Sequence, residues 1–352
     1  MIKYIFLVVI AFHFIGSIEA QNKRPNIIFF SMDDLKPELG IYGQTNIKSP
    51  HIDRLSEQGV VFENAYCQQA VCAASRISIF GGLRPDRTKV WDLKTNMRDV
   101  NPDVITLPQF FKNNGYETVG LGKLMHGAKN NDPVSWTLPY IDKDDMVYAE
   151  GYSYPAAYGK YQNPATFKAM EIAKAKKMKR KEVNKFLKKQ GLNPATEKYW
   201  DLYKREDMDV ASFQEHAKNS PDYAYHSWGE LRAYAGIPDK GSLDIETQKK
   251  LIHGYKASVS YVDAQIGKVL DKVKELGLDK NTIIVMWGDH GWHLGDHGVW
   301  AKHSNFEQAT KVPLIIVAPG YSKGKRANTM AELVDMYPTI IDYAGFDMPK
   351  VL

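Results

Sequence analysis

Ile283-Ile284-Val285-Met286-Trp287-Gly288-Asp289-His290-Gly291 is an unbroken apolar run that stops on an acid and a histidine. A short apolar run bounded by turn residues is the pattern of a strand buried on both faces. Asn26-Ile27-Ile28-Phe29-Phe30-Ser31-Met32-Asp33-Asp34 repeats the plan and stops on two acids. Leu314 to Ala318 reads as a third such strand. Helical patterns fall between them, so the fold class is α/β. A mostly parallel central sheet with helices on both faces is expected. Ligands of open α/β sheets bind beyond the carboxyl ends of the strands. Asp33, Asp34, Asp289 and His290 are therefore expected to face one crevice.

The connecting segments fit this alternation. Ser49-Pro50-His51-Ile52-Asp53-Arg54-Leu55 reads as a cap and the start of a helix, and Ser75 to Phe80 as a second helix. Leu107-Pro108-Gln109-Phe110-Phe111 with Gly115 reads as a helix and its glycine stop, and Glu117 to Leu121 as the strand that follows. Residues 244 to 276 carry Leu251, Tyr255, Val259, Val262, Ile266 and Leu270 at helical spacing, a long amphipathic helix. No internal repeat is present.

Composition bounds the function classes. The chain has 352 residues, 44% hydrophobic and 25% charged, which is the balance of a soluble globular protein. A net charge of +5 is compatible with an anionic partner without identifying one. Residues 168 to 189 hold ten Lys or Arg against two Glu, read as a solvated helix face or as a basic surface for a polyanionic ligand. No aromatic-interleaved pattern accompanies them, so no nucleic-acid partner is expected. Residues 1–20 read as a secretory signal peptide: Lys3, the apolar run Tyr4 to Ile15, then Gly16 to Ala20. The mature protein is expected to be exported, periplasmic or secreted, and to leave the membrane once the signal is cut. The two cysteines, Cys67 and Cys72, would by themselves suggest a local disulfide in an exported chain.

Three carboxylates in one crevice repel each other unless a cation compensates. Oxygen-rich ligation favours Ca²⁺ or Mg²⁺. Taken singly, Asp33-Asp34 could be a helix-capping pair and Asp289-His290 a polar turn.

Cys72-Ala73-Ala74-Ser75-Arg76 fits C-x-[P/A]-x-R, the pattern at which sulfatases have a cysteine oxidised to the aldehyde formylglycine. Gly120-Leu121-Gly122-Lys123-Leu124-Met125-His126-Gly127, Gln68-Gln69-Ala70-Val71-Cys72 and Trp300-Ala301-Lys302-His303-Ser304-Asn305-Phe306-Glu307 accompany it in order. Over roughly residues 24–126 and 199–348 the chain resembles the sulfatase family of the alkaline-phosphatase-like superfamily, most closely its iduronate-2-sulfatase-like branch. The resemblance implies an alkaline-phosphatase-like sandwich and a sulfuric ester hydrolase acting on sulfated polysaccharides or oligosaccharides. It implies one Ca²⁺ per chain, with Asp33, Asp34, Cys72, Asp289 and His290 as ligands. It makes Cys72 the modified nucleophile, with a formylglycine-generating maturation enzyme as partner, and leaves Cys67 as a small buried side chain. Arg76 would hold the formylglycine oxygen, Lys123 and Lys302 would donate to sulfate oxygens, and His126 would bind or shuttle the proton of the attacking hydroxyl. His293 and His297 read as structural histidines, and Arg84-Pro85-Asp86 as a sugar contact or a pin on its loop.

Three departures from the family pattern stand out. Ala74 replaces the usual proline. A Lys-Pro-His segment expected before Tyr199-Trp200-Asp201 is replaced by the basic stretch, and no histidine lies between His126 and His216, so a sulfate-contacting or acid-donating histidine is missing unless His216 or His226 substitutes. A C-terminal subdomain is expected to be absent, so that residues 21–352 form the N-terminal catalytic domain alone. Two other functions therefore compete with the sulfatase reading. One is a truncated, weakly active or inactive glycan-binding protein. The other is a phosphoester or phosphonate hydrolase of the same superfamily.

Overall fold

The structure is a computed structural model that describes residues 24–127, 130–142, 164–178, 197–225, 230–233, 237–321 and 323–349, with 182, 186 and 189. The strands are β1 (Asn26–Met32), β2 (Val60–Tyr66), β3 (Leu121–Gly122), β4 (Ile141–Asp142), β5 (Thr282–Gly288), β6 (His293–Leu294), β7 (Trp300–Ala301), β8 (Lys311–Val317) and β9 (Lys325–Glu332). The principal helices are α1 (Pro50–Ser56), α2 (Cys72–Gly81), α3 (Leu107–Asn113), α4 (Pro164–Ala175), α5 (Ile245–Glu275) and α6 (Met336–Tyr343). The signal-peptide expectation and most of the basic stretch lie outside the described residues.

The main sheet runs β1-β5-β8-β2-β9. β1 pairs parallel with β5 and β2 parallel with β9, while β8 is antiparallel to both its neighbours. Four of the five strands thus point the same way, as the apolar runs predict. Side-chain alternation splits β5 between two cores. Ile283, Val285 and Trp287 pack with Phe80 of α2, Phe111 of α3 and Ile340 of α6. Ile284 and Met286 face Ile52 of α1 and Val259 and Ile266 of α5. All seven residues of β5 are buried, which is why its sequence is apolar without alternation.

β1 departs from that pattern. Its run is equally apolar, yet it is an edge strand and only partly buried. A groove of about 390 Å³ lies beside it, lined by Asn26–Phe29, Phe80, Phe111, Trp136, Tyr116–Val119 and Leu121. Across that groove the expected strand Glu117–Leu121 does not form, and only Leu121–Gly122 pairs, with β4. The physical reason is a missing neighbour. Thr118 and Gly120 direct their carbonyls to Thr137 and Ile141 on the far side, and no described strand stands between Val119 and β1 to complete the ladder.

Candidate active site

The crevice lies where the carboxyl ends of β1 and β5 meet. Leaving β1, the backbone turns at Asp34 into the left-handed region, φ 60°. The turn is tied down: the Asp34 amide donates to Asp289 Oδ1 at 3.1 Å and the Tyr255 hydroxyl donates to the Asp34 carbonyl at 3.0 Å. At the end of β5 the chain needs glycine, because a Cβ on Gly288 would run into the Leu35 carbonyl. Gly291 is confined in the same way by the Gln308 carbonyl. Two close backbone approaches thus place Asp289 and His290 beside Asp33 and Asp34.

Cys72 is the first residue of α2, a ten-residue helix buried along its whole length. Its Sγ lies 3.2 Å from His290 Nε2 and 3.6 Å from Asp33 Oδ1. His290 Nδ1 sits 3.0 Å from the Gly291 carbonyl, which can only accept, so Nδ1 carries the proton of the neutral ring. That leaves the Nε2 lone pair facing the crevice. Burial, with Asp289 and Asp33 nearby, pushes the Cys72 thiol up to about 12. Cys72 is therefore a protonated thiol, a weak nucleophile as it stands. Cys67 is buried and free, its thiol 3.9 Å from the Ala309 carbonyl, and no disulfide joins it to Cys72.

Arg76 lies one turn further along α2 with no exposed surface. Its Nε donates to Asp289 Oδ2 at 2.8 Å, and its Nη atoms donate to Ser31 Oγ at 2.7 Å, Asp33 Oδ1 at 3.2 Å and the carbonyls of Lys123 and Leu124. Lys123 in turn spans Asp33, with Nζ 2.7 and 2.6 Å from its two oxygens and 3.5 Å from Cys72 Sγ. Lys302 reaches Asp34 Oδ1 at 2.6 Å. The expected set Asp33, Asp34, Cys72, Arg76, Lys123, Asp289, His290 and Lys302 is thus in one place. His126 stands beside it. Burial, then the charges of Lys123 and Arg76, lower its pKa, and its buried Nδ1 has no hydrogen-bond partner among the described residues.

Burial alone would raise both aspartates. At Asp33 the cations Arg76 and Lys123 outweigh it and hold the carboxyl well below its usual range. At Asp34 burial and the Asp33 charge prevail, raising it to about 6. Oxygen, nitrogen and sulfur donors of Asp33, Asp34, Cys72 and His290 lie within 4.8 Å of one another, so a single cation could touch all four. Asp289 flanks this group, its Oδ2 3.5 Å from His290 Nε2, with Arg76 holding the same oxygen. The two carboxylates suit a hard divalent cation; the His290 nitrogen is an unusual ligand for one, and the Cys72 sulfur would suit it only once replaced by oxygen.

Other expected residues fall outside the crevice. His293 is buried and bonds Ser304 Oγ at 2.7 Å. His297 bonds the Glu215 carbonyl and stacks on Phe306, so both are structural. Arg84 pairs with Glu332 on the surface, which pins its loop. His216 stacks flat on Tyr225, and His226 lies outside the described residues. Sequence reading missed Glu230, 3.3 Å from Lys302 Nζ, and Tyr255, which looked like one more apolar position of α5. Glu230 belongs to no motif and no spacing signal marks it, and the helical spacing that marks Tyr255 points only to burial.

A crevice of paired acids, a helix-borne cysteine and buried basic side chains at the ends of parallel strands is a site that can hold a cation and an anionic group together. The family model of sulfatases matches residues 25–346, and the chain belongs to the sulfatase family. It is similar to the iduronate 2-sulfatase of Mus musculus, 32% identical with 92% of this chain and 69% of the relative covered. A sulfatase of Formosa agariphila is 31% identical over 93% of this chain and 71% of its own length. Among solved structures, a protein in complex with its substrate D-glucosamine-2-N,6-O-disulfate superposes with a TM-score of 0.66 at 20% identity, covering 93% of this chain and 78% of that one. The phosphonate monoester hydrolase of Agrobacterium radiobacter superposes at 0.65 and 18% identity, covering 92% and 74%. These two establish the shared fold. The chain is a sulfatase-family hydrolase.

Proposed function

We propose that this hydrolase removes sulfate from sulfated polysaccharides or their oligosaccharides, with Cys72 matured to formylglycine. The single observation that carries the reading is the surround of Cys72 Sγ: Lys123 Nζ at 3.5 Å, His290 Nε2 at 3.2 Å and Asp33 at 3.6 Å. As a protonated thiol Cys72 has little use there. As a hydrated aldehyde it would present a hydroxyl to an ester held by the two lysines. One Ca²⁺ would be held by Asp33, Asp34, Asp289, His290 and the residue derived from Cys72. When bound it supplies positive charge to the sulfuryl oxygens and to the nucleophilic hydroxyl.

The rest falls to the chain's own side chains. Lys123 and Lys302 enter beside Asp33 and Asp34 and donate to the non-bridging sulfuryl oxygens, whose charge must be stabilised in the transition state. Arg76 orients Asp33 and Asp289 at once. His126, kept neutral by its surroundings, accepts the proton of the attacking hydroxyl. A sugar sulfate as substrate is supported by the likeness to the mouse iduronate 2-sulfatase, and export by the leader-like residues 1–20.

The test is mass spectrometry of the Cys72 peptide from protein made with a maturation enzyme, beside sulfate release from sulfated oligosaccharides. Aldehyde and sulfate release are expected. Thiol alone in the presence of maturase would remove the nucleophile. Faster turnover of phosphate or phosphonate esters would assign the other hydrolase chemistry. Formylglycine without turnover of either ester would leave a glycan-binding protein.

A further inference from the structure

Lys302 is held from two sides. Its Nζ lies 2.6 Å from Asp34 Oδ1 and 3.3 Å from Glu230 Oε1, and it sits 4.9 Å from the centre of the Trp292 ring. The other oxygen of Glu230 lies 3.5 Å from His303 Nε2. Both Glu230 oxygens are engaged, so the carboxylate is fixed at the rim of the crevice. The backbone bearing its partners is unusual. Ala301 and His303, on either side of Lys302, have φ values of 71° and 69°. Non-glycine residues hold that conformation only where their surroundings over-determine it. Burial would raise the Glu230 pKa, but His303 and Lys302 outweigh it, so Glu230 is ionised at neutral pH.

A charge count gives this arrangement a use. The crevice sets four acids (Asp33, Asp34, Asp289 and Glu230) against three permanent bases (Arg76, Lys123 and Lys302). A divalent cation would bring the total to one positive charge, which a singly charged ester neutralises. Without Glu230 the total would be two, which suits a dianion. We propose that Glu230 is a specificity-determining residue, a fixed negative charge behind Lys302 that matches the crevice to singly charged sulfuryl esters. It disfavours doubly charged ligands, namely phosphate monoesters and the released sulfate ion. The inference rests on the proposed use of Lys302 as an anion donor.

Coulomb repulsion scales with ligand charge, so the factor Glu230 imposes on a monoanion is squared for a dianion. The probes are sulfamate, a monoanion, and inorganic sulfate, a dianion, titrated calorimetrically at pH 7, low salt and saturating Ca²⁺. Glu230→Gln is expected to tighten sulfamate by about 4-fold and sulfate by about 16-fold, the effect of charges about 5 Å apart at a near-aqueous dielectric of about 80, since Glu230 is partly exposed. Glu230→Ala, which removes the same charge with a different shape, should give the same pattern. Glu230→Asp should stay near the wild type. Equal shifts for both anions, or weaker binding of both, would overturn the proposal. Lys302→Met separates it from the reading beneath it. If that variant binds both anions as the wild type does, Lys302 is no anion donor and both ideas fall. If it loses affinity while Glu230→Gln changes nothing, the role of Glu230 alone is refuted.

Discussion

Arg76 Nε lies 2.8 Å from Asp289 Oδ2, and neither side chain has any exposed surface. This one contact ties the first turns of α2 to the end of β5. Removing one partner of a buried ion pair leaves an uncompensated charge, which costs about 3–5 kcal/mol. Arg76→Ala is therefore expected to lower the unfolding free energy by about that much in denaturant titrations. Arg76→Lys should recover little of it. Lysine offers a point charge where the guanidinium fork serves Asp289, Asp33, Ser31 and two carbonyls together. A lysine variant as stable as the wild type would mean that charge alone, without the fork, holds the crevice together.

Asp34, raised to about 6 by burial and by the Asp33 charge, makes cation binding depend on pH. The ionised carboxylate binds the cation, so protons compete below that value and not above it. Ca²⁺ affinity is expected to be nearly flat above pH 7 and to fall about 10-fold for each unit below 6, where one proton must leave. Calorimetry in two buffers of different ionisation enthalpy counts that proton. About one should be released at pH 5, and close to none at pH 7.5. No release at pH 5 would mean that Asp34 is not a ligand. Asp33→Asn should weaken Ca²⁺ across the whole range, since Asp33 stays ionised throughout.

Much of this was legible in the residues. β5 announced itself because a strand buried on both faces must be apolar at every position, and Asp289-His290 followed at its end. α5 showed its helical stripe. What could not be read is the neighbourhood of each strand. Glu117–Leu121 has the composition of a strand, yet a ladder needs two partners in register, and only Leu121–Gly122 finds one. Glu230 was invisible for a related reason: it meets Lys302 across 72 residues of chain, and a lone glutamate carries no spacing signal. Local pattern encodes which residues prefer to be extended and buried, whereas long-range pairing is settled by packing.

The same edge yields a measurable pattern. The Met32 carbonyl accepts from the Asp289 amide, so Met32, Phe30 and Ile28 direct their backbone groups to β5. Ile27, Phe29 and Ser31 then turn theirs away from β5, those of Ile27 and Phe29 beside the groove. Native-state hydrogen exchange should alternate along β1, with the Phe29 and Ser31 amides exchanging at least about 100-fold faster than those of Ile28 and Phe30, a local opening far below the global one. Uniform protection along β1 would show that a strand covers this edge.

The absent Lys-Pro-His segment bears on leaving-group chemistry. A positioned acid or base contributes roughly 10²–10⁴-fold. The residues proposed for nucleophile, cation and anion binding are all present, and electrostatic stabilisation is the larger part of catalysis. A nitrophenolate leaves without protonation, whereas a sugar alkoxide needs a proton. His126 is a poor donor for it, because burial and the charges of Lys123 and Arg76 keep it neutral down to a pH below the ordinary histidine range. As a base, by contrast, it is active in that neutral form, so its titration should cut activity only on the acid side, at a pH below the ordinary histidine value. Turnover of aryl sulfates is therefore expected to exceed that of sugar sulfates by a wide margin in kcat/KM. His126→Ala should reduce both classes and, at saturating Ca²⁺, remove its own contribution to the acid limb of the pH profile. A variant with a Lys-Pro-His segment grafted before Tyr199 should narrow the gap between the classes. Equal, fast turnover of both by the unmodified chain would refute this account and direct attention to His216 or His226 as the acid.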